Sequence, residues 1–228
     1  MVARATIVRG FLLHAQAIEE RHFLCDVFTH ENGLLRCKFN GNRPEFFRQF
    51  EIKLTSKNNF YSCHDFRYLE PLCIHDSPAR LYGLYINELA FRLLPRQIET
   101  GPFYGTYVSS LVQIQAGKNL LPSLRFYEKQ LLTLLGSGID YQRSVDGFSI
   151  DPESHYHYQA GLGFVQSALG ACLGKPILAN AENNYEVKGA LAIARHCQYQ
   201  QLLILLENRP INSREWLKFL APNREVVK

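Results

Sequence analysis

The chain has 228 residues, 46% hydrophobic and 20% charged. That is enough apolar material for one large domain or two modest ones, and it excludes wholesale disorder. The formal charge of +4 and pI near 8.7 permit an anionic partner without demanding one.

No run approaches the roughly 20 apolar residues of a membrane helix. Met1 to Ala15 carries Arg4, Arg9 and His14 inside a strand-like pattern rather than the clean apolar run of a signal peptide, so a cytoplasmic location is expected. Charge is spread evenly, with 10 Lys and Arg against 9 Asp and Glu in residues 1–78, so any nucleic-acid site must come from local clustering.

Five strands are expected in the first 75 residues. Ala5 to Leu13 and His22 to Thr29 come first. Gly33 to Phe39 alternates, placing Leu35, Cys37 and Phe39 on one face and Leu34, Arg36 and Lys38 on the other. Gln49 to Leu54 turns Phe50, Ile52 and Leu54 inward. Phe60 to Leu69 follows the turn pair Asn58-Asn59. Glu31-Asn32-Gly33 predicts a hairpin with a type I′ turn, because Asn-Gly tolerates positive φ. Such a set has the size of a small OB-type barrel, though propensity does not separate it from other small barrels.

Helical spacing begins after Pro78. Leu81, Leu84, Tyr85, Leu89 and Leu93 mark a helix over Arg80 to Leu94 that Pro95 ends. A second helix is expected over Leu124 to Leu135, capped by Gly136. A third runs from Val187 to Glu207, with Leu191, Ala194, Leu202 and Leu205 along one side and Pro210 beyond it. Ser213 is a good N-cap for a last helix carrying Trp216, Phe219 and Leu220 on one face. The Gly-, His- and Tyr-rich stretch Gly136 to Gly174 carries no element we assign. The expected fold class is α+β, with a barrel over residues 1–77 and a helical domain over 78–228.

Catalytic constellations are weak throughout. Gly161-Leu162-Gly163 lacks the third glycine and preceding strand of a dinucleotide loop, and no phosphate loop or nucleophile elbow occurs. His155 and His157 would point the same way from a strand, but no further ligands complete a metal shell; two solvated histidines fit better. Cys63-His64 and Cys73-x-His75 invite a zinc reading, yet their apolar neighbours favour core positions. The six cysteines read as small buried hydrophobes. Scattered carboxylates offer no acid–base pair. No enzyme, cofactor or metal is expected.

The local strings now carry a resemblance. Leu24-Cys25-Asp26-Val27-Phe28-Thr29 with Gly33, Leu81 to Leu89 with Arg92, Tyr127 to Leu132 running into Gly136-Ser137-Gly138, and Ile211 to Glu215 with Phe219 are collinear with segments of RecO proteins. The chain therefore resembles the RecO family of recombination mediators. The resemblance implies an OB-fold barrel joined to a helical domain, binding single- and double-stranded DNA without chemistry of its own. It also implies annealing of strands coated with single-stranded-DNA-binding protein, and work with RecR to load RecA. An OB-type adaptor without important DNA contact is the alternative.

In this sequence the expected phosphate contacts are Arg36, Lys38, Arg43, Arg48 and Lys53. Phe46 and Phe47 stack bases if their loop is exposed and are core residues otherwise. The acidic tail of single-stranded-DNA-binding protein would meet Arg125 beside an apolar groove of Leu121, Leu124 and Leu132. Two departures from the family stand out. The basic loop after the third strand is reduced to Lys38-Phe39-Asn40-Gly41-Asn42-Arg43-Pro44, which predicts modest DNA affinity and a shallow salt slope. Where many relatives carry four zinc-binding cysteines, residues 140–147 hold none, so zinc is not expected.

Overall fold

Five strands fill the N-terminal third: β1 (Ala5–Glu19), β2 (His22–Thr29), β3 (Gly33–Asn40), β4 (Phe50–Lys57) and β5 (Phe60–Tyr68). The computed structural model describes residues 5–57, 60–69, 74 and 77–219. The strands close into a barrel in the order β1-β2-β3-β5-β4. Its first strand is longer than expected because it serves two partners. Ala5 to Gly10 pairs antiparallel with β4, and Gly10 to Glu19 with β2. Closure comes from parallel pairing of β3 with β5. The expected inward sets are all buried, Leu35, Cys37 and Phe39 on β3 and Phe50, Ile52 and Leu54 on β4.

The β2–β3 hairpin forms, but not through a type I′ turn. Three residues connect Thr29 to Gly33, and of the Asn32-Gly33 pair only Gly33 has positive φ, at 62°. Thr29 Oγ1 accepts from the Asn32 N–H at 3.2 Å and donates to the Gly33 carbonyl at 2.9 Å, so a side chain closes the turn.

The outer faces of β1, β2 and β3 are not all polar. Phe11, Phe28 and Leu34 point away from the barrel core and are still buried. They are covered by α1 (Ser77–Leu93) and α2 (Phe103–Ala116) with the segment between. Tyr107 of α2 packs edge-on against Phe11 and Phe28, both at 5.4 Å. The α2 helix is absent from the sequence reading, although Gly117 ends it in the left-handed conformation at φ 65°. On α1 the stripe of leucines is only half the story: Ile86, Asn87 and Ala90 are buried as deeply as Leu89. Gly83 lies against the Phe47 ring, where a Cβ would come within 2.7 Å of it.

Asn87 ties α1 to β1. The register of β1 on β2 shifts between Leu12 and His14, a bulge that turns the Leu12 carbonyl outward. The Asn87 amide donates to that carbonyl at 3.2 Å and accepts from the Tyr107 hydroxyl at 2.7 Å.

The last helix, α6 (Asn212–Phe219), is started by a carboxylate from α1 rather than by Ser213. Glu88 accepts from the backbone N–H groups of Asn212 and Ser213 at 2.9 and 2.8 Å, and from the Ser213 hydroxyl at 2.6 Å. Ser213 thus donates where an N-cap would accept. Trp216 is half exposed; Leu220 and the Phe219 side chain, the other members of the expected apolar face, lie outside what is described.

Burial opposes ionisation of Glu88, but hydrogen bonds from Ser213, Asn212 and Arg92 outweigh it and hold the carboxyl below the ordinary 4.5. A depressed folded-state pKa contributes stability above the unfolded value and loses it as pH falls through the folded one. Acidification below about pH 4.5 therefore loosens α6. Emission of Trp216, the sole tryptophan, should report this transition, and Glu88→Gln should remove its pH dependence.

By contacts the chain divides into two compact units, Met1–Lys118 with Ile211–Lys228, and Asn119–Pro210. The division expected at 77/78 marks where strands give way to helices. The units divide elsewhere because α1 and α2 pack on the barrel and α6 packs on α1.

The second unit contains α3 (Leu120–Leu134), β6 (His155–Gln159), β7 (Gly163–Gln166), β8 (Cys172–Leu173), α4 (Gly174–Ala181) and α5 (Ala190–Leu205). Gly136 ends α3 as expected: at φ 69° it lets Ser137 N–H reach the Leu132 carbonyl and its own N–H the Thr133 carbonyl. The unassigned stretch holds a three-stranded sheet in the order β7-β6-β8. Tyr141, Ile150, Tyr156, Phe164 and Ile177 form its core with Cys197. The buried side of α5 follows Ala190, Ala194, Cys197 and Gln201, so expected Leu191 and Leu205 are only half-buried. Lys129 of α3 donates to the Asn180 and Ala181 carbonyls at 2.7 and 2.9 Å, placing a cation at the C-terminal end of α4.

Candidate nucleic-acid interface

Arg36 and Lys38 share the outer face of β3, two residues apart, as the alternation required. Arg36 stands opposite Asp26 on β2, and Asp26 stands opposite His14 on β1. Arg36 grips Asp26 in a two-pronged pair, Nε to Oδ1 at 2.9 Å and Nη2 to Oδ2 at 3.2 Å. Arg96, from the segment after α1, adds a bond from Nη1 to Oδ1 at 2.6 Å. His14 Nδ1 lies 3.3 Å from Oδ2, and its ring stacks on Phe91 of α1 at 4.3 Å.

The Asp26 side chain is 1% exposed, whereas Arg36 and Arg96 are 44% and 40% exposed. Burial alone would raise the Asp26 pKa; hydrogen bonds and charge from the two arginines outweigh it and hold the carboxyl below its usual range. Asp26 is therefore ionised at neutral pH, and with the two arginines it forms a group of net charge +1. Lys38 adds to it.

The other expected cations do not join this group. The Arg43 guanidinium lies over the rings of Phe23 and Phe46, 5.9 and 5.4 Å from their centroids. Arg48 stacks on Tyr68 at 3.6 Å and pairs with Glu45 at 3.3 Å. Lys53 is exposed on β4, which β5 separates from β3. It lies beside a row that crosses β1, β4 and β5, in which Glu51 pairs with Arg9 at 3.3 Å and Arg67 at 2.7 Å. Phe47 is fully buried, at φ 65°, and has no face to offer a base. Phe46 is half-buried and packs on the barrel core.

Arg96 and the Arg9–Arg67 row are the cations that sequence reasoning missed. Arg9 and Arg67 sit at outward positions of their strands, so strict alternation would have shown them. Nothing local marks Arg96, which lies 70 positions from Asp26.

In the second unit, α3 buries Leu124 and Leu132 at 2% and 1% exposure, so these two line no open groove. Leu121 is exposed. Arg125 is not a surface cation either. Its side chain is 10% exposed and pairs at 2.7 Å with Glu128, which is fully buried.

The chemistry of the remaining candidates is modest. Residues 140–147 contain no thiol or imidazole and do not fit a zinc shell. Among the described residues no three His, Cys, Asp or Glu side chains gather as a metal would require. His155 and His157 lie on β6, where His157 Nε2 is 3.1 Å from Gln159 Nε2. Five cysteines are buried free thiols; Cys73 and His75 lie outside the described residues. Gly161 lies in the β6–β7 turn, and Gly163 opens β7. No described helix is long and apolar enough to cross a membrane.

A closed five-stranded barrel that carries half-exposed arginines on its outer face and is buttressed by helices defines an α+β protein. The family model described as "Recombination protein O C terminal" matches residues 75–218. The DNA repair protein RecO of Stutzerimonas stutzeri strain A1501 is 31% identical over 215 residues, 90% of this chain and 91% of that one. That of Pseudomonas putida strain GB-1 is 31% identical over 216 residues, 90% and 94%. That of Pseudoalteromonas translucida strain TAC 125 is 29% identical over 221, 91% and 95%. The chain belongs to the RecO family.

Proposed function

We propose that this chain is a non-catalytic DNA-repair protein that binds single- and double-stranded DNA and anneals complementary strands. In this reading it helps RecR load RecA on DNA coated with single-stranded-DNA-binding protein, within the cytoplasm and at the nucleoid. The observation that carries it is the nearly end-to-end likeness to DNA repair proteins named RecO. The strand order β1-β2-β3-β5-β4 with one long shared strand supports an OB-type barrel, a fold that offers cations to phosphates. The cations invoked are Arg36, Lys38, Arg43, Arg48 and Lys53.

The acidic tail of single-stranded-DNA-binding protein docks, in this proposal, along α3 at exposed Leu121. Arg125 engages it only by leaving Glu128. Leu121→Asp alters the exposed member alone and should weaken tail binding without unfolding the unit. The adaptor reading draws support from the engagement of Arg36, Arg48 and Arg9 in ion pairs, which leaves fewer unpaired cations.

The deciding assay mixes complementary labelled oligonucleotides, bare or coated, with catalytic amounts of the protein. Faster annealing in both forms is expected. No acceleration in either form refutes the annealing role and favours the adaptor.

A further inference from the structure

We propose that Arg96 and Arg36 together form a clamp for one DNA phosphate, with Asp26 as the residue that fixes both guanidiniums. The clamp rests on the DNA-binding reading above and extends it to a residue outside the barrel strands.

Backbone geometry places Arg96. Pro95 follows the last turn of α1, and the chain then runs alongside β3, with Arg96 bridged in parallel to Leu34. Gln97 N–H donates to the Leu34 carbonyl at 3.1 Å, and Gln97 itself sits at φ 56°, outside the comfortable region for a side chain. The Ile98 backbone lies directly on Gly33, where any Cβ would collide with it. Gly33 is therefore required twice, once for its φ and once for this approach. The result is a guanidinium from a loop held beside one from a strand.

The charge arrangement suits an anion. Asp26 is nearly sealed, its oxygens occupied by Arg36, Arg96 and His14, while both arginines keep about two-fifths of their side chains in solvent. A guanidinium has five N–H donors. Arg36 gives two to Asp26 and Arg96 one, so both retain donors for a phosphate oxygen. A free surface arginine loses rotamer freedom on binding; these two have already lost it to Asp26, so the ordering cost on binding is small. Fixed forks also match a phosphate as a lysine does not. Lys38, two residues along β3, extends the track to a neighbouring phosphate.

The test is the salt dependence of binding to fluorescein-labelled oligothymidylate. Arg96→Gln should lower the slope of log K against log salt by about 0.7, and affinity about fivefold near 0.1 M salt, the factor that slope gives against a 1 M reference. Asp26→Asn with Arg96→Gln restores the local net charge of the wild type. Its slope should recover, because Arg36 still reaches the phosphate, but its affinity should stay below wild type, because Arg36 is no longer held in place and Arg96 is missing. Return of both slope and affinity to wild type would assign the effect to net field and overturn the clamp. Arg96→Lys keeps the ion pair with Asp26, guards against a folding defect, and should lose affinity with little change in slope. Wild-type affinity in both Arg96→Gln and Arg96→Lys also overturns the clamp, while leaving DNA binding through the other cations intact. If the wild type itself shows no salt-dependent binding, the proposed function fails, and the clamp with it.

Discussion

Asn87→Ala should cost the first unit about 3 kcal/mol, because it removes two buried hydrogen bonds at once: the one Asn87 donates to the Leu12 carbonyl and the one it accepts from the Tyr107 hydroxyl. Removing one partner of a buried hydrogen bond costs roughly 1–3 kcal/mol. Neither group gains easy access to water, since Asn87, Leu12 and Tyr107 are all at most 1% exposed. A loss of that size lowers the melting temperature by roughly 6–12 °C in a chain of this length. Urea unfolding followed by Trp216 emission measures it in the unit concerned. Asn87→Asp keeps the shape and the acceptor but not the donor, and buries a charge beside a carbonyl, so it should be at least as damaging. Stability within 1 kcal/mol of wild type for both variants would show that the bulge on β1 needs no such anchor.

The second large effect is expected at Glu128. Removing its carboxylate leaves the Arg125 guanidinium 10% exposed and without the partner that holds it at 2.7 Å. Breaking a buried pair from one side typically costs 3–5 kcal/mol, because the surviving charge stays desolvated. Glu128→Ala should therefore lower the stability of the second unit by about that much, read as a shift of the urea midpoint by circular dichroism. Glu128→Gln keeps the volume and an acceptor and should cost less. Replacing both residues, Arg125→Leu with Glu128→Leu, should recover most of the loss, since no charge is then stranded. If the double variant is as unstable as Glu128→Ala, the damage comes from packing and not from the orphaned charge. This pair also bears on the docking proposal: Arg125 reaches an incoming carboxylate only by giving up Glu128.

How much of this was legible beforehand depends on how local each signal is. All five barrel strands were legible, β3 and β4 from alternation, which is a property of neighbours, and the inward sets of these two follow from it directly. The turn type was not, because Asn32-Gly33 allows type I′ while the Thr29 hydroxyl builds a different closure. Helix α2 escaped because Gly105, Thr106, Val108, Ser109 and Ser110 dilute its propensity; its aromatic face becomes a helix by packing on Phe11 and Phe28. Strands β6, β7 and β8 are five, four and two residues long, too short for any period to show.

The site divides the same way. Outward placement of Arg36 and Lys38 was readable from period two. Their neighbour Arg96 was not, since its position depends on a loop docking on Gly33, far along the chain. Burial of Arg125, Leu124 and Leu132 was equally hidden, because a helix of apolar and charged residues does not announce which stripe faces the core. The same limitation led to Ser213 as a cap, whereas the capping oxygen belongs to Glu88, 125 positions away.

The measurement closest to the centre of this account is the binding of labelled single-stranded DNA, followed by fluorescence anisotropy across a salt series. With two of its cations clustered on β3 and a shortened loop behind them, the protein should bind at low salt. The slope of log K against log salt should be clearly negative but smaller in magnitude than about 4, which six single-strand contacts would give at roughly 0.7 each. A steeper slope would contradict the reduced interface, and binding that is absent or indifferent to salt would contradict DNA recognition by these cations.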